Sequence, residues 1–343
     1  MNQFFSFLKR NLGIIIIFVS FAAVIISGLI SGVLSSAIES ITNADPFYII
    51  LALAFYLGHS LVAGIAHRSF IKTQGHDVSL KEAFYSSIIG TYYSNITPAA
   101  TGGIPTEIYC LGRQGVPAGI ASSAITCFII AWYIMRLLLI CLFLILRSDL
   151  IFGILGSKII FLFFGLLYNL YVIVLFLVLG FAKKPVRFII TLIDKINRKL
   201  KLSKDPEKIE NILSSTAKRY HDSMQSILLH PSEIIKQLFL GCLYTILLNS
   251  IIYLSYRSLG LSGTPYYDIF AMSLCQNVSA AYMPTPGGAG AQEIIYQLFF
   301  GTMIKGSSLL AVMLIWRFVS FYFSLFLGAI LSSVRSIHRQ NRQ

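Results

Sequence analysis

Apolar runs long enough to cross a bilayer constrain this chain before any other feature does. They lie near 12–38, 46–66, 118–146, 159–181, 238–256 and 308–334. A helix needs ~20 such residues to span the hydrocarbon core. Backbone polar groups must be satisfied inside lipid, so continuous runs of this length specify helices. Composition agrees: 56% of the 343 residues are hydrophobic and 12% are charged, against ~25% charged in a soluble domain. The expected fold class is an all-α polytopic membrane protein, one integral membrane domain over 1–343.

Charge gives the orientation. Lys plus Arg number 27 against 14 Asp plus Glu, and the excess sits in loops and tails. There it orients a membrane protein and meets anionic headgroups; no nucleic-acid motif accompanies it. Lys9 and Arg10 precede a first apolar run that is longer than the core of a cleaved signal peptide. Gly28 and Gly32 within that run form a small-xxx-small pair suited to close helix packing. The positive-inside rule places both termini and the polar region 183–237 in the cytoplasm, with the chain in the cell (inner) membrane. "FIITLIDKINRKL" spaces apolar and basic residues as in a helix lying on anionic inner-leaflet lipid, or in a solvated linker. The cysteines, Cys110, Cys127, Cys141, Cys242 and Cys275, are scattered through apolar segments and read as buried inert thiols. No metal-ligand spacing, Walker loop or nucleophile elbow is present, so no metal, cofactor or catalytic residue is expected.

Two short apolar segments end in breaks. The first runs into "ITPAATGGIPTE", with Pro98, Gly102, Gly103 and Glu107. The second runs into "MPTPGGAGAQE", with Pro284, Pro286, Gly287, Gly288, Gly290 and Glu293. Each break begins with proline, holds a Gly-Gly pair and reaches a glutamate nine positions after its first proline. A Trp and an Arg follow in the next span each time, Trp132 and Arg136, then Trp316 and Arg317. Counting spans makes the two breaks re-entrant broken-helix hairpins that enter from opposite faces. The expected architecture is an inverted repeat, with halves over about 46–147 and 238–335. Interrupted segments at corresponding places in inverted halves point to a transporter binding site.

The chemistry of the breaks favours an anion. Glycine lets a ligand approach the backbone, and helix N-termini at Gly102-Gly103 and Gly287-Gly288 would present free N–H groups to a phosphate. Arg136 and Arg317 lie inside apolar spans, where an ionisable group faces a cavity or a partner. Glu107–Arg136 and Glu293–Arg317 pairs are expected, as structural ion pairs or as parts of the substrate path. Glu107 and Glu293 have two open readings: caps of their own helices, or partners of a cationic substrate group or a proton. Asn95 and Asn277 precede the breaks and could line the cavity. Tyr92, Tyr93, Tyr109 and Tyr282 read as core packing, and His59 as a packed histidine.

With these motifs and "LIWRFVSFYFSLFLGAIL" after the second, the chain resembles the lysylphosphatidylglycerol synthase transmembrane-region family, the flippase-like domain of the multiple peptide resistance factor. "GRQGVPAGIASSAI" after the first break carries the looser half of the likeness. The resemblance implies a polytopic domain with two re-entrant elements that moves lipids such as aminoacylated phosphatidylglycerol between leaflets. It marks Pro284, Pro286, Gly287, Gly288, Gly290, Glu293 and Arg317, and less firmly Gly102, Gly103 and Glu107. The family's soluble synthase domain has no counterpart after the last span, so aminoacyl transfer is not expected of this chain.

The function expected is a lipid translocase for a phospholipid or a polyprenyl-phosphate lipid. One alternative is the membrane component of a phosphatidylglycerol lysyltransferase or glycosyltransferase system, with a separate soluble synthase or transferase as partner. Another is a proton-coupled solute transporter using Glu107 and Glu293.

Overall fold

The computed structural model describes residues 21–26, 28–30, 32–200 and 206–340. The described residues form helices and turns, with no strand among them. From the N-terminus, α1 (Phe21–Ile30) meets α2 (Leu34–Thr42) at 111°. The first expected span is therefore bent and not continuous, and its portion before residue 21, with Lys9 and Arg10, lies outside the described residues. The glycines there differ in role. A Cβ on Gly28 would meet Leu310 Cδ2 at 2.8 Å, whereas Gly32, at φ +69, lies in the bend and an added Cβ there would meet nothing within 4 Å.

The helices that follow are α3 (Pro46–Thr73), α4 (Leu80–Ile96), α5 (Gly103–Gly112), α6 (Ala118–Leu146), α7 (Ser148–Leu155) and α8 (Ile159–Phe181). Then come α9 (Lys183–Leu200), α10 (Pro206–Ser226), α11 (Pro231–Ser258), α12 (Tyr266–Ala280) and α13 (Ala291–Phe300). The last are α14 (Ser307–Arg317), a π-turn over Phe318–Tyr322, and α15 (Phe323–Gln340). Among the described residues, five units are long and apolar enough to cross a membrane: α3, α6, α7 with α8, α11, and Ser307–Val334; α1 with α2 would make a sixth.

Local chemistry starts these helices where the sequence allows. Asp45 accepts a hydrogen bond from the Phe47 N–H at 2.9 Å while Pro46 occupies the first helical position of α3. Ser79 caps α4 through the Glu82 N–H. Between the long helices glycine sets the separation. A Cβ on Gly64 of α3 would lie 2.8 Å from the Phe84 backbone nitrogen of α4, and one on Gly241 of α11 would lie 2.9 Å from that of Trp132 in α6. The largest core cluster joins α3, α11, α12, α13 and α14 through residues such as Tyr56, Ile251, Cys275, Tyr296 and Trp316.

The short helices are arranged by the two breaks. α4 packs on α5, and α12 on α13, so each pair is a hairpin with a break at its tip; the two tips touch. The polar region resolves into two different elements. α9 leaves Phe188 and Leu192 exposed, but α10 folds back on α6, and His221 Nδ1 lies 3.1 Å from the Gly180 carbonyl. Lys201 and the last three residues fall outside the described residues. The thiols also differ from expectation: Cys275 is buried, but Cys141 is exposed on the apolar α6.

Close packing at the glycines yields a stability test. Gly64→Val and Gly241→Val push a side chain into backbone, which cannot swing aside, and should each cost ~1–3 kcal/mol. Gly112→Ala, where an added Cβ meets nothing within 4 Å, should leave stability unchanged or raise it slightly. Thermal unfolding in detergent reads both.

Candidate functional site

The second break is built on a left-handed turn that glycine adopts without steric cost. Pro286 opens a single 3-10 turn in which Gly287 and Gly288 have φ of +55 and +67. α13 does not begin at this Gly-Gly pair, as the sequence suggested, but at Ala291, with Gly290 as N-cap. Glu293 occupies the third position of the helix and its Oε2 accepts from the Gly290 N–H at 2.8 Å. Its Oε1 lies 2.7 Å from Arg317 Nε. The expected Glu293–Arg317 pair therefore exists, and the same carboxylate also caps the helix. Both side chains are buried, with Glu293 6% and Arg317 5% exposed. The Nε–H is not aligned for a hydrogen bond, and Arg317 Nη2 is without a partner among the described residues.

Arg317 lines a polar cavity of about 130 Å³ at this break. That is room for several waters or one phosphate-sized group, since a single water needs only ~10–15 Å³. The wall carries Asn95 of α4, Asn249 of α11, Ser273, Gln276 and Asn277 of α12, Gln292 of α13 and Ser320 of the π-turn, with the Gly287 backbone at one side. Seven amide and hydroxyl side chains facing a guanidinium inside an apolar bundle are costly unless they serve a polar ligand or water. Some satisfy one another: Gln276 donates to Gln292, and Ser273 to Asn249 at 3.2 Å. Gly287 is held close because a Cβ there would overlap the Phe321 ring.

Arg136 reaches the same wall from α6. Its Nη1 donates to Asn277 Oδ1 at 3.1 Å, while Nε and Nη2 donate to Asn169 Oδ1 at 2.9 and 2.6 Å. It is 2% exposed, and the Tyr133 ring lies 4.2 Å from its guanidinium carbon. No carboxylate approaches it within 4.0 Å among the described residues, so the expected Glu107–Arg136 pair is absent. Glu107 instead faces His67, with Nδ1 3.8 Å from Oε2. Two amide oxygens and two rings thus surround a buried cation without neutralising it.

The first break shows why the two glutamates differ. Pro98 opens its turn, and Ala99 and Ala100 take φ of +51 and +55. Gly102 is then the N-cap of α5, four residues after Pro98, as Gly290 is four residues after Pro286. In backbone terms Pro98 corresponds to Pro286 and not to Pro284. Glu107 then falls two positions further into its helix than Glu293 does, too far to cap it. The Gly102 N–H is taken by Thr97 Oγ1 at 2.9 Å, and Gly103 packs on Ser94 and the Gly90 carbonyl. These glycines close the hairpin; Gly102, Gly103 and Glu107 are not on the cavity wall. Of the other candidates, Gly287 and Arg317 line it, Gly288 packs on Gln292, Pro286 sets the turn and Pro284 is exposed.

Asn95 and Asn277, suggested by position alone, both line the cavity. Asn169, Asn249, Ser273, Gln276, Gln292 and Ser320 went unnoticed. Their sequence signal was the presence of amides and hydroxyls inside otherwise apolar helices, which is costly when they are unpaired, though less so than a charge.

The model of the lysylphosphatidylglycerol synthase transmembrane region matches residues 14–328, and the chain belongs to that family. It is a multi-pass membrane protein. The UPF0104 membrane protein MJ1595 of Methanocaldococcus jannaschii is 29% identical over 94 residues, which is 27% of this chain and 28% of that relative.

Two substitutions test this geometry. Asn169→Leu removes the double acceptor from Arg136 and strands a buried cation, so it should lower stability by ~1–3 kcal/mol or more. Ala99→Gly keeps the left-handed turn but removes the ~1–2 kcal/mol it costs an L-residue, and should be neutral or stabilising. Unfolding midpoints in detergent measure the two shifts, which should have opposite signs or differ clearly in size.

Proposed function

We propose that this member of the lysylphosphatidylglycerol synthase transmembrane-region family moves a phosphate-bearing lipid headgroup between leaflets. The observation that carries the reading is the polar cavity at the second break, where Arg317 keeps a free nitrogen and Arg136, without a counter-ion, bonds the wall through Asn277. A guanidinium fork suits phosphate, and an intramembrane cation that lacks a partner attracts an anion to it. The substrate is a phospholipid, aminoacylated phosphatidylglycerol among them, or a polyprenyl phosphate. The two hairpins, whose tips touch, enter from opposite faces as an inverted repeat, which sets the cavity near mid-membrane. Both termini and the 183–237 region are cytoplasmic in an inner membrane, and the exposed apolar face of α9 rests on anionic lipid.

The Glu107–His67 pair favours one refinement. Two titratable side chains at 3.8 Å, apart from the cavity wall, suit a proton carried during the transport cycle.

Reconstituted vesicles test the headgroup site. Arg317→Ala should slow translocation of an anionic phospholipid about tenfold or more, a loss of ~1.4 kcal/mol or more in transition-state stabilisation. Asn169→Asp gives Arg136 the counter-charge it lacks in a nearly isosteric side chain. It should keep the protein folded yet slow transport as well. Wild-type rates in both variants would refute the assignment.

A further inference from the structure

A second concavity lies at one end of the bundle, where the last turns of α3 run beside the first turns of α11. Its volume is about 460 Å³, and it shares no lining residue with the polar cavity. Both helices have 28 residues. At 1.5 Å per residue each is ~42 Å long, more than a hydrocarbon core of ~30 Å. Their ends, and the concavity between them, therefore stand at headgroup depth.

Ile65, Arg68, Ser69 and Lys72 follow helical spacing, so one face of α3 lines this space. Lys236 lines it from α11 and Leu80 from the start of α4. Three cations thus share one space with two apolar side chains. Arg68 and Lys72 have a single carboxylate between them, Asp77, at 3.7 Å from each. The Asp77 side chain is 69% exposed, and long pairs in solvent are weakly held. Arg68 Nε donates to the Val78 carbonyl at 2.7 Å, which fixes the guanidinium. Lys236 donates to Ser69 Oγ at 2.6 Å, and among the described residues no carboxylate lies within 4.0 Å of its Nζ. Glu233 also lines the space, but it is buried and both its oxygens are taken. Ser69 Oγ donates to Oε2 at 2.7 Å and Gln237 Nε2 to Oε1 at 2.8 Å. Its role is to spend the Ser69 proton, so that the Ser69 oxygen is left to accept from Lys236.

We propose that this concavity binds a phosphate group, carried by a lipid headgroup or by a soluble phosphate ester, between Arg68 and Lys72 of α3 and Lys236 of α11. The phosphate replaces Asp77 as the partner of Arg68 and Lys72. It also takes the N–H donors that Lys236 does not spend on Ser69. Charge-assisted contacts from a guanidinium and two ammonium groups suit its oxygens, while Ile65 and Leu80 meet the carbon of the ester. Because Arg68 holds the Val78 carbonyl and Leu80 begins α4, a bound anion ties the α3–α4 turn to α11. The site is separate from the one at Arg317 and does not depend on it.

Thermal shift and native mass spectrometry of the purified full chain in detergent test the site with two probes, glycerol phosphate and dioctanoyl phosphatidic acid. Ionic strength is held constant and chloride is the reference anion. The same titrations on an Arg317→Ala background keep a phosphate in the polar cavity out of the reading. On both backgrounds at least one probe should bind in preference to chloride. Lys236→Gln and, independently, Lys72→Gln should each weaken it about tenfold or more, because each removes a charge-assisted contact. Both side chains are exposed, so the packed bundle does not need them; should one variant fail to fold, the other decides. Lys218→Gln, at an exposed lysine of α10 outside the concavity, should bind as the unsubstituted chain does. Binding of phosphatidic acid about tenfold or more tighter than glycerol phosphate, through its chain carbons, assigns the site to a lipid; comparable affinities assign it to a soluble ester. Undiminished binding in both pocket variants, an equal loss in Lys218→Gln, or no binding beyond that of chloride would overturn the site, whatever Arg317→Ala does to transport.

Discussion

Every peptide group inside an apolar slab needs a hydrogen-bond partner from the protein itself, and the rest of this structure follows from that requirement. Long helices meet it internally. The two breaks cannot, so each is supplied with side-chain partners: Thr97 Oγ1 for the Gly102 N–H, Glu293 Oε2 for the Gly290 N–H. The glycines at Gly64, Gly90, Gly103 and Gly241 then act at the next level. They let the hairpins pack closely on each other's helices and on the long spans.

The two halves use one turn for different ends. Proline followed by two left-handed residues and, two places on, a glycine N-cap describes both tips. The first tip is an anchor; its glycines are consumed by packing against α4. The second tip is held by an ion pair and opens onto amides. Between the Glu107 and Arg136 neighbourhoods runs a chain of ring contacts: His67 to Phe128, Phe128 to Tyr244 and Tyr244 to Trp132, with Arg136 over the last. This packing gives the separated acid and base a continuous, dry connection without a shared hydrogen bond.

Much of the fold was legible because the signals were long or chemically extreme. Spans of twenty-odd apolar residues, the two Pro/Gly interruptions and the Glu293–Arg317 pair all stand out in the sequence. The register of the repeat was not legible. Matching first proline to first proline and glutamate to glutamate aligned Pro98 with Pro284 and left the Gly-Gly pairs one place apart; left-handed positions are expected to be glycine. In the first half two alanines, Ala99 and Ala100, occupy them. The error displaced Glu107 into a role it does not have and predicted an Arg136 partner that is absent. The cavity wall was hidden for another reason: Asn249, Ser273, Gln276 and Ser320 come from three separated segments, and no local pattern announces that they converge.

Glu293 joins two structural tasks that most proteins keep apart. One oxygen fixes the start of α13 and the other holds Arg317. Any anion that draws Arg317 toward itself competes with that carboxylate, and a carboxylate released from its cation leans more heavily on the Gly290 amide. Linkage is reciprocal: what strengthens the α13 N-terminus must weaken the hold on Arg317, and the reverse. On the proposed reading, an anion held by Arg317 would thus bear on the start of α13 through a single side chain.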